Sequence, residues 1–216
     1  ALPYVRWMEL DVQLSKDGVP VVVHDYSLDR TTNGHGKVKN MDWEQMKRLD
    51  AGSWKGRAFR GERVPSLEEV LELAAGRLHL NIELKTVGNL YPGIEKTVID
   101  LISSKNMRDE VVLTSFEAGA LQRVKEINPL FRTGLIFDSR SGDPARRVKE
   151  LDCSFLSISF ARLNPDLAKL LSAQGVKVMA WTVDKAREMR RLAGMHSDIM
   201  ICTNRPDVWG DTFLGV

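Results

Sequence analysis

Three carboxylates and one lysine stand out by their spacing. In Trp7-Met8-Glu9-Leu10-Asp11-Val12 the acids occupy alternate positions. Alternation along a strand puts Glu9 and Asp11 on one face, and Met8, Leu10 and Val12 on the other. The run Leu78-His79-Leu80-Asn81-Ile82-Glu83-Leu84-Lys85 repeats the pattern, so Glu83 and Lys85 share the polar face. The apolar faces should pack under helices, which turns the acids inward. If the two strands are neighbours, three carboxylates converge with a lysine beside them. Like charges held that close are unfavourable until neutralised. A hard divalent cation with oxygen ligands, Mg²⁺ or Ca²⁺, would do so. The competing reading is an inward ion-pair network without metal, and three acids against one obvious base weigh against it.

His24 follows Val21-Val22-Val23 and precedes Asp25. A histidine ending an apolar strand is by itself more often structural. Returned by a hairpin to the same mouth, it could exchange a proton with substrate near neutral pH. The other histidines are expected to be bystanders: His35 solvated in a glycine-rich loop, His79 structural and deeper inside, His196 in a surface turn.

These side chains need a scaffold, and the chain supplies a repeating one. Short apolar strands are predicted at Trp7–Val12, His79–Leu84, Val111–Ser115, Thr133–Phe137, Phe155–Ser159, Val176–Val183 and Asp198–Thr203, with helical stretches between them. Ser66-Leu67-Glu68-Glu69 is a capping box. Pro92 opens a stretch with Ile94, Val98, Leu101 and Ile102 on one face. Asn164-Pro165 reads as an N-cap with proline at the first helical position, and Gly175 closes that helix. Asp184 begins another helix. Strand–helix alternation of this kind predicts an α/β fold with a parallel sheet, here a (β/α)8 TIM barrel. Seven parallel strands could also form an open sheet, but one more βα unit would close a barrel of eight, and by the resemblance described below the unit missing is the first. Between Val12 and Pro65 the rhythm breaks. Asp17-Gly18 marks a hairpin between Val12–Leu14 and Val19–Val23, with Pro20 on an edge. A short helix is predicted near Asp42–Leu49, with Gln45 completing a capping box. Gln13–Val64 is therefore read as an insertion over the C-terminal mouth, where barrel active sites lie. The whole of residues 1–216 is read as a single domain.

Composition narrows the partners. The chain has 216 residues, 43% of them hydrophobic and 28% charged, as in ordinary globular proteins. A net charge of +2 gives no footprint for nucleic acid or a membrane surface. No apolar run approaches the roughly 18 residues of a membrane span, so stable membrane insertion is not expected. Cys153 and Cys202 read as buried free thiols, which favours a reducing, cytoplasmic setting.

The segment from Glu9-Leu10-Asp11-Val12 through Lys16-Asp17-Gly18 to Val23-His24-Asp25, then Leu28-Asp29-Arg30-Thr31-Thr32-Asn33-Gly34, resembles the core motif of the glycerophosphodiester phosphodiesterases. Asp50-Ala51-Gly52-Ser53-Trp54, Val64-Pro65-Ser66-Leu67, Asn81-Ile82-Glu83-Leu84-Lys85, Ser115-Phe116, Trp181-Thr182-Val183 and Thr203-Asn204-Arg205-Pro206 continue the match in order. The resemblance implies Glu9, Asp11 and Glu83 as metal ligands and His24 as one of two catalytic histidines. It implies Lys85 as a phosphate contact and Trp181 as an aromatic lining the substrate pocket; a core tryptophan is an equal reading of the sequence alone. The implied reaction is hydrolysis of deacylated phospholipids to an alcohol and glycerol 3-phosphate. The family opens with a strand carrying His-Arg-Gly and then Pro-Glu-Asn, which are absent from this chain. Much-impaired activity and self-association through open strand edges are therefore expected. Two other readings are a lysophospholipase D or sphingomyelinase-D-like phosphodiesterase, and a degenerate barrel that only binds.

Overall fold

The computed structural model describes residues 3–139 and 142–215. They fall into two compact units: Met8–Val111, and the first seven residues together with Val112–Val216. Strands alternate with helices along both, so the fold is α/β.

The Met8–Val111 unit carries the predicted carboxylates. Strand β1 (Trp7–Leu14) turns through Asp17-Gly18 into the antiparallel β2 (Pro20–Val22), pairing Val12 with Val22 and Leu14 with Pro20. Gly18 has φ +83°, the left-handed geometry that such a turn requires. The free edge of β2 is partly covered, because Val22 N–H donates to the Pro65 carbonyl at 3.0 Å. Strand β3 (His79–Leu84) lies beside β1, and Lys85 N–H donates to the Val12 carbonyl at 3.0 Å. Residues between β2 and α2 (Leu67–Ala74) form a small core of their own, with Val21, Val23, Leu28, Val38, Met46 and Val64 buried together.

Helix α1 is only Trp43–Met46, shorter than the predicted Asp42–Leu49, and Asp42 makes no side-chain cap. Its carboxylate lies 3.7 Å from the Lys16 ammonium, while Asp17 accepts the Trp43 N–H at 2.9 Å. A neighbouring turn thus supplies the cap that local sequence assigned to Asp42. The Ser66 capping box forms as read: Ser66 Oγ accepts the Glu69 N–H, and Ser66 N–H donates to Glu69 Oε2 at 2.8 Å. Leu67, Leu71 and Ala74 form the buried stripe of α2. Helix α3 (Ile94–Ser104) buries Ile94, Val98, Ile99 and Ile102. His79, expected in the interior, is exposed at the start of β3.

In the other unit β4 (Val111–Ser115), β5 (Thr133–Phe137), β6 (Phe155–Ser159), β7 (Lys177–Trp181) and β8 (Ile199–Ile201) pair in sequence, all parallel. Helices α4 (Ala118–Ile127), α5 (Pro144–Glu150), α6 (Pro165–Ala173), α7 (Ala186–Met195) and α8 (Pro206–Phe213) follow them in turn. Their apolar stripes join Leu135, Leu156, Ile158, Val178 and Ala180 in one buried cluster. Asn164 caps α6 by accepting the Leu167 N–H at 2.9 Å, and Gly175 ends it with φ +72°. Asp184 does not cap α7, whose N-cap is Lys185. It accepts instead from Thr203 Oγ1 at 2.9 Å and Asn204 N–H at 2.8 Å, tying the ends of β7 and β8 together. Both cysteines are free; Cys153 is buried and Cys202 half-buried. No helix of the described residues is long and apolar enough to cross a membrane.

Candidate active site

Period-2 alternation on β1 and β3 brings the predicted acids together. One carboxylate oxygen each from Glu9, Asp11 and Glu83 lies within 4.8 Å of the others. Lys85, just past the end of β3, sits 3.5 Å from Asp11 and 3.3 Å from Glu83. Its side chain is only 11% exposed, and its ammonium lies 5.8 Å from the Tyr26 ring centre. Burial alone would push the Lys85 ammonium down, yet the charges of Glu83 and Asp11 outweigh that and hold it above its ordinary pKa. The ion pairs of the competing reading therefore exist, with the one Lys85 ammonium shared between Asp11 and Glu83.

The residual strain shows in the acids. Burial raises the Glu83 carboxyl, with Lys85 pulling it down and Asp11 pushing it up. Glu9 is pushed up to about 8, first by desolvation and then by the charges of Asp11 and Glu83. Glu9 also keeps an open side to water, so screening weakens this push. Three crowded carboxylates with incomplete neutralisation fit a hard divalent cation, which would restore charge balance to oxygen ligands.

Glu9 titrates at about 8 in the folded chain against an ordinary 4.5, so between those values the unfolded chain holds fewer protons. Stability of the cation-free protein should therefore fall as pH rises across that window. With solvent screening allowed for, the loss is roughly 1–2 kcal/mol, or about 2–8 °C in melting temperature. Melting curves from pH 5 to pH 8 check this. Glu9→Gln should flatten the dependence, and an equally steep slope in that variant would refute the assignment.

His24 lies just beyond β2, and the hairpin anchors the preceding backbone to the middle of β1. Val23 N–H donates to the Asp11 carbonyl at 3.1 Å. The imidazole is largely open to solvent, with Nδ1 2.6 Å from Asp25 Oδ1. A positive charge on His24 is felt at Glu83, where it lowers the carboxyl. Arg30 grips the same Asp25 through Nε at 2.5 Å and Nη2 at 2.8 Å. That guanidinium, with a smaller contribution from His24, holds the Asp25 carboxyl well below the usual range. Arg30 in turn lies 5.6 Å from the Trp54 ring centre.

Trp181 belongs to the other unit, at the end of β7. It is half-buried, and its indole N–H has no hydrogen-bond partner among the described residues. His35 is exposed on its loop, 3.2 Å from Asp29. The sequence reading missed Asp25, Arg30, Gln13 and Tyr91. Asp25 carried a signal in its adjacency to His24. Gln13 carried one too, because it continues the 9, 11, 13 alternation on a polar face. Arg30 stood within the motif of the resemblance without a role of its own, and Tyr91 carried no signal.

Comparison with known proteins identifies the family. The model of the glycerophosphoryl diester phosphodiesterase family matches residues 5–208. A glycerophosphodiester phosphodiesterase of Caldanaerobacter subterraneus is 40% identical over 186 residues, covering 86% of this chain and 76% of that one. One from Bacillus subtilis is 30% identical, covering 94% and 75% of the respective chains. Among solved structures, an Oleispira antarctica phosphodiesterase in complex with the product sn-glycerol-3-phosphate superposes with TM-score 0.88 at 29% identity, covering 96% of this chain and 85% of that one. A glycerophosphodiester phosphodiesterase from Agrobacterium tumefaciens gives TM-score 0.81 at 32% identity, covering 94% and 85%. These matches define an enzyme of the phosphodiester hydrolase class. The chain belongs to the glycerophosphoryl diester phosphodiesterase family.

Proposed function

We propose that the enzyme is a cation-dependent hydrolase of glycerophosphodiesters, the deacylated phospholipids, releasing an alcohol and glycerol 3-phosphate, with His24 in acid–base catalysis. The observation that carries this is the trio Glu9, Asp11 and Glu83 within 4.8 Å, served by a single lysine. Support for the substrate comes from the Oleispira relative, whose structure holds sn-glycerol-3-phosphate. Glu9, Asp11 and Glu83 would hold Mg²⁺ or Ca²⁺. When bound, the cation supplies positive charge against a phosphate oxygen.

The chain's own residues supply the rest. Lys85 offers a second positive contact to the phosphate, and its acidic neighbours keep it protonated for that role. Asp25, held ionised by Arg30, accepts from His24 Nδ1–H, which leaves Nε2 as the nitrogen that moves a proton. Trp181 would line the substrate pocket. The proposal includes the (β/α)8 barrel as a single domain with residues 13–64 as its insertion; the strand–helix repeat supports it. Two free cysteines support a cytoplasmic setting.

Chelation tests the reading. Release of glycerol 3-phosphate from glycerophosphocholine should fall at least about 100-fold with excess EDTA and return with added Ca²⁺ or Mg²⁺. Full activity in EDTA would remove the cation from the reaction.

A further inference from the structure

Behind the His24 loop lies a buried polar pair that acid–base chemistry does not use. Gln13 continues the polar face of β1 one strand repeat past Asp11, and its residue is 0% exposed. Its Nε2 donates to the carbonyls of Val23 at 2.7 Å, Asp25 at 2.8 Å and His24 at 3.3 Å. Its Oε1 accepts the Tyr91 hydroxyl at 2.8 Å, and Tyr91 is itself buried on the connection between β3 and α3.

An amide nitrogen has two protons, so two carbonyls take the short bonds and the third shares. Three successive carbonyls turned toward one point would repel each other and lie desolvated if no donor stood there. The donor at position 13 relieves both costs and so favours this path of the backbone around His24. The loop carbonyls settle which end of the amide faces them. They can only accept, so the NH₂ group must point to the loop, which leaves the amide oxygen to accept the Tyr91 hydroxyl. The Asp25–Arg30 pair acts elsewhere, on the imidazole ring.

We infer that Gln13 and Tyr91 are positioning residues that fix the Val23–Asp25 backbone and so aim the His24 imidazole. This rests on the acid–base reading of His24. Full-length Gln13→Leu, Tyr91→Phe, the double variant and His24→Ala form the test. Each is assayed for kcat and KM on glycerophosphocholine, for Ca²⁺ and Mg²⁺ affinity by calorimetry, and for the His24 ring resonance by NMR.

Gln13→Leu should lower kcat about 10–100-fold and broaden or split the His24 resonance. Its KM and cation affinity should stay within about threefold of the parent. Tyr91→Phe removes only a hydroxyl and should lower kcat about 3–10-fold, with no further loss when added to Gln13→Leu. If Gln13→Leu does not fold, Tyr91→Phe alone decides by the same readouts. Parental kcat in both variants beside an inactive His24→Ala overturns the positioning role and leaves the His24 reading standing. Loss of cation affinity in step with kcat also overturns it, since that marks general loosening of β1. Parental kcat in His24→Ala overturns the reading beneath it.

Discussion

Replacement of Glu83 by glutamine is expected to weaken Ca²⁺ or Mg²⁺ binding roughly 100–1,000-fold, the largest effect of any single isosteric change in the carboxylate cluster. Glu83 is 8% exposed and sits at the end of a strand, so water cannot easily take its place as a ligand. Glutamine keeps the shape and one oxygen but removes the charge that a hard cation requires. The fold should survive, because Lys85 retains Asp11 at 3.5 Å as a partner. Calorimetric titration of the parent and the variant measures the change, and circular dichroism confirms folding. Equal affinities would show that the three carboxylates do not form a cation site. Hydrolysis should fall in parallel, whereas an ion-pair network with a purely structural role predicts lost stability and unchanged cation response.

Replacement of His24 by alanine should act on a different quantity. Proton transfer by a positioned side chain is worth about 10²–10⁴-fold, and kcat should drop by that much. The imidazole side chain is 63% exposed and buries little apolar surface, so stability should change by no more than about 0.5 kcal/mol. Cation affinity should be close to that of the parent. Initial rates of glycerol 3-phosphate release, with melting temperature and calorimetry on the same preparations, separate these effects. A kcat within threefold of the parent would remove His24 from the chemistry. The pair of variants thus separates the two proposed roles: Glu83 in binding of the ion, and His24 in turnover at saturating ion.

The distribution of these roles bears on how the site is built. Glu9, Asp11 and Glu83, the proposed cation ligands, stand on strands, whose hydrogen-bonded ladders fix direction and spacing. His24, the proposed acid–base group, stands on a loop, which has no such ladder. It is held instead by side-chain ties: Gln13 to its backbone and Asp25 with Arg30 to its ring. A loop-borne imidazole restrained from two sides can be as well placed as a strand-borne carboxylate.

Sequence alone determined the strands, the hairpin at Asp17-Gly18, the caps at Ser66 and Asn164, and the shared faces of Glu9 with Asp11 and of Glu83 with Lys85. Each depends on short-range periodicity or on a turn residue with one preferred geometry, and both are written in consecutive residues. Only tertiary structure decided where the side chains of Asp42 and Asp184 would go. Both look like helix caps locally, but Lys16 and the Thr203–Asn204 turn offered them better partners. It alone showed that β1 and β3 are neighbours, that Tyr91 reaches Gln13, that Arg30 grips Asp25, and that desolvation and the neighbouring carboxylates push Glu9 up to about 8. Hydrogen bonds between distant segments and the energy of crowded charges depend on distances through space, which no local pattern of residues encodes.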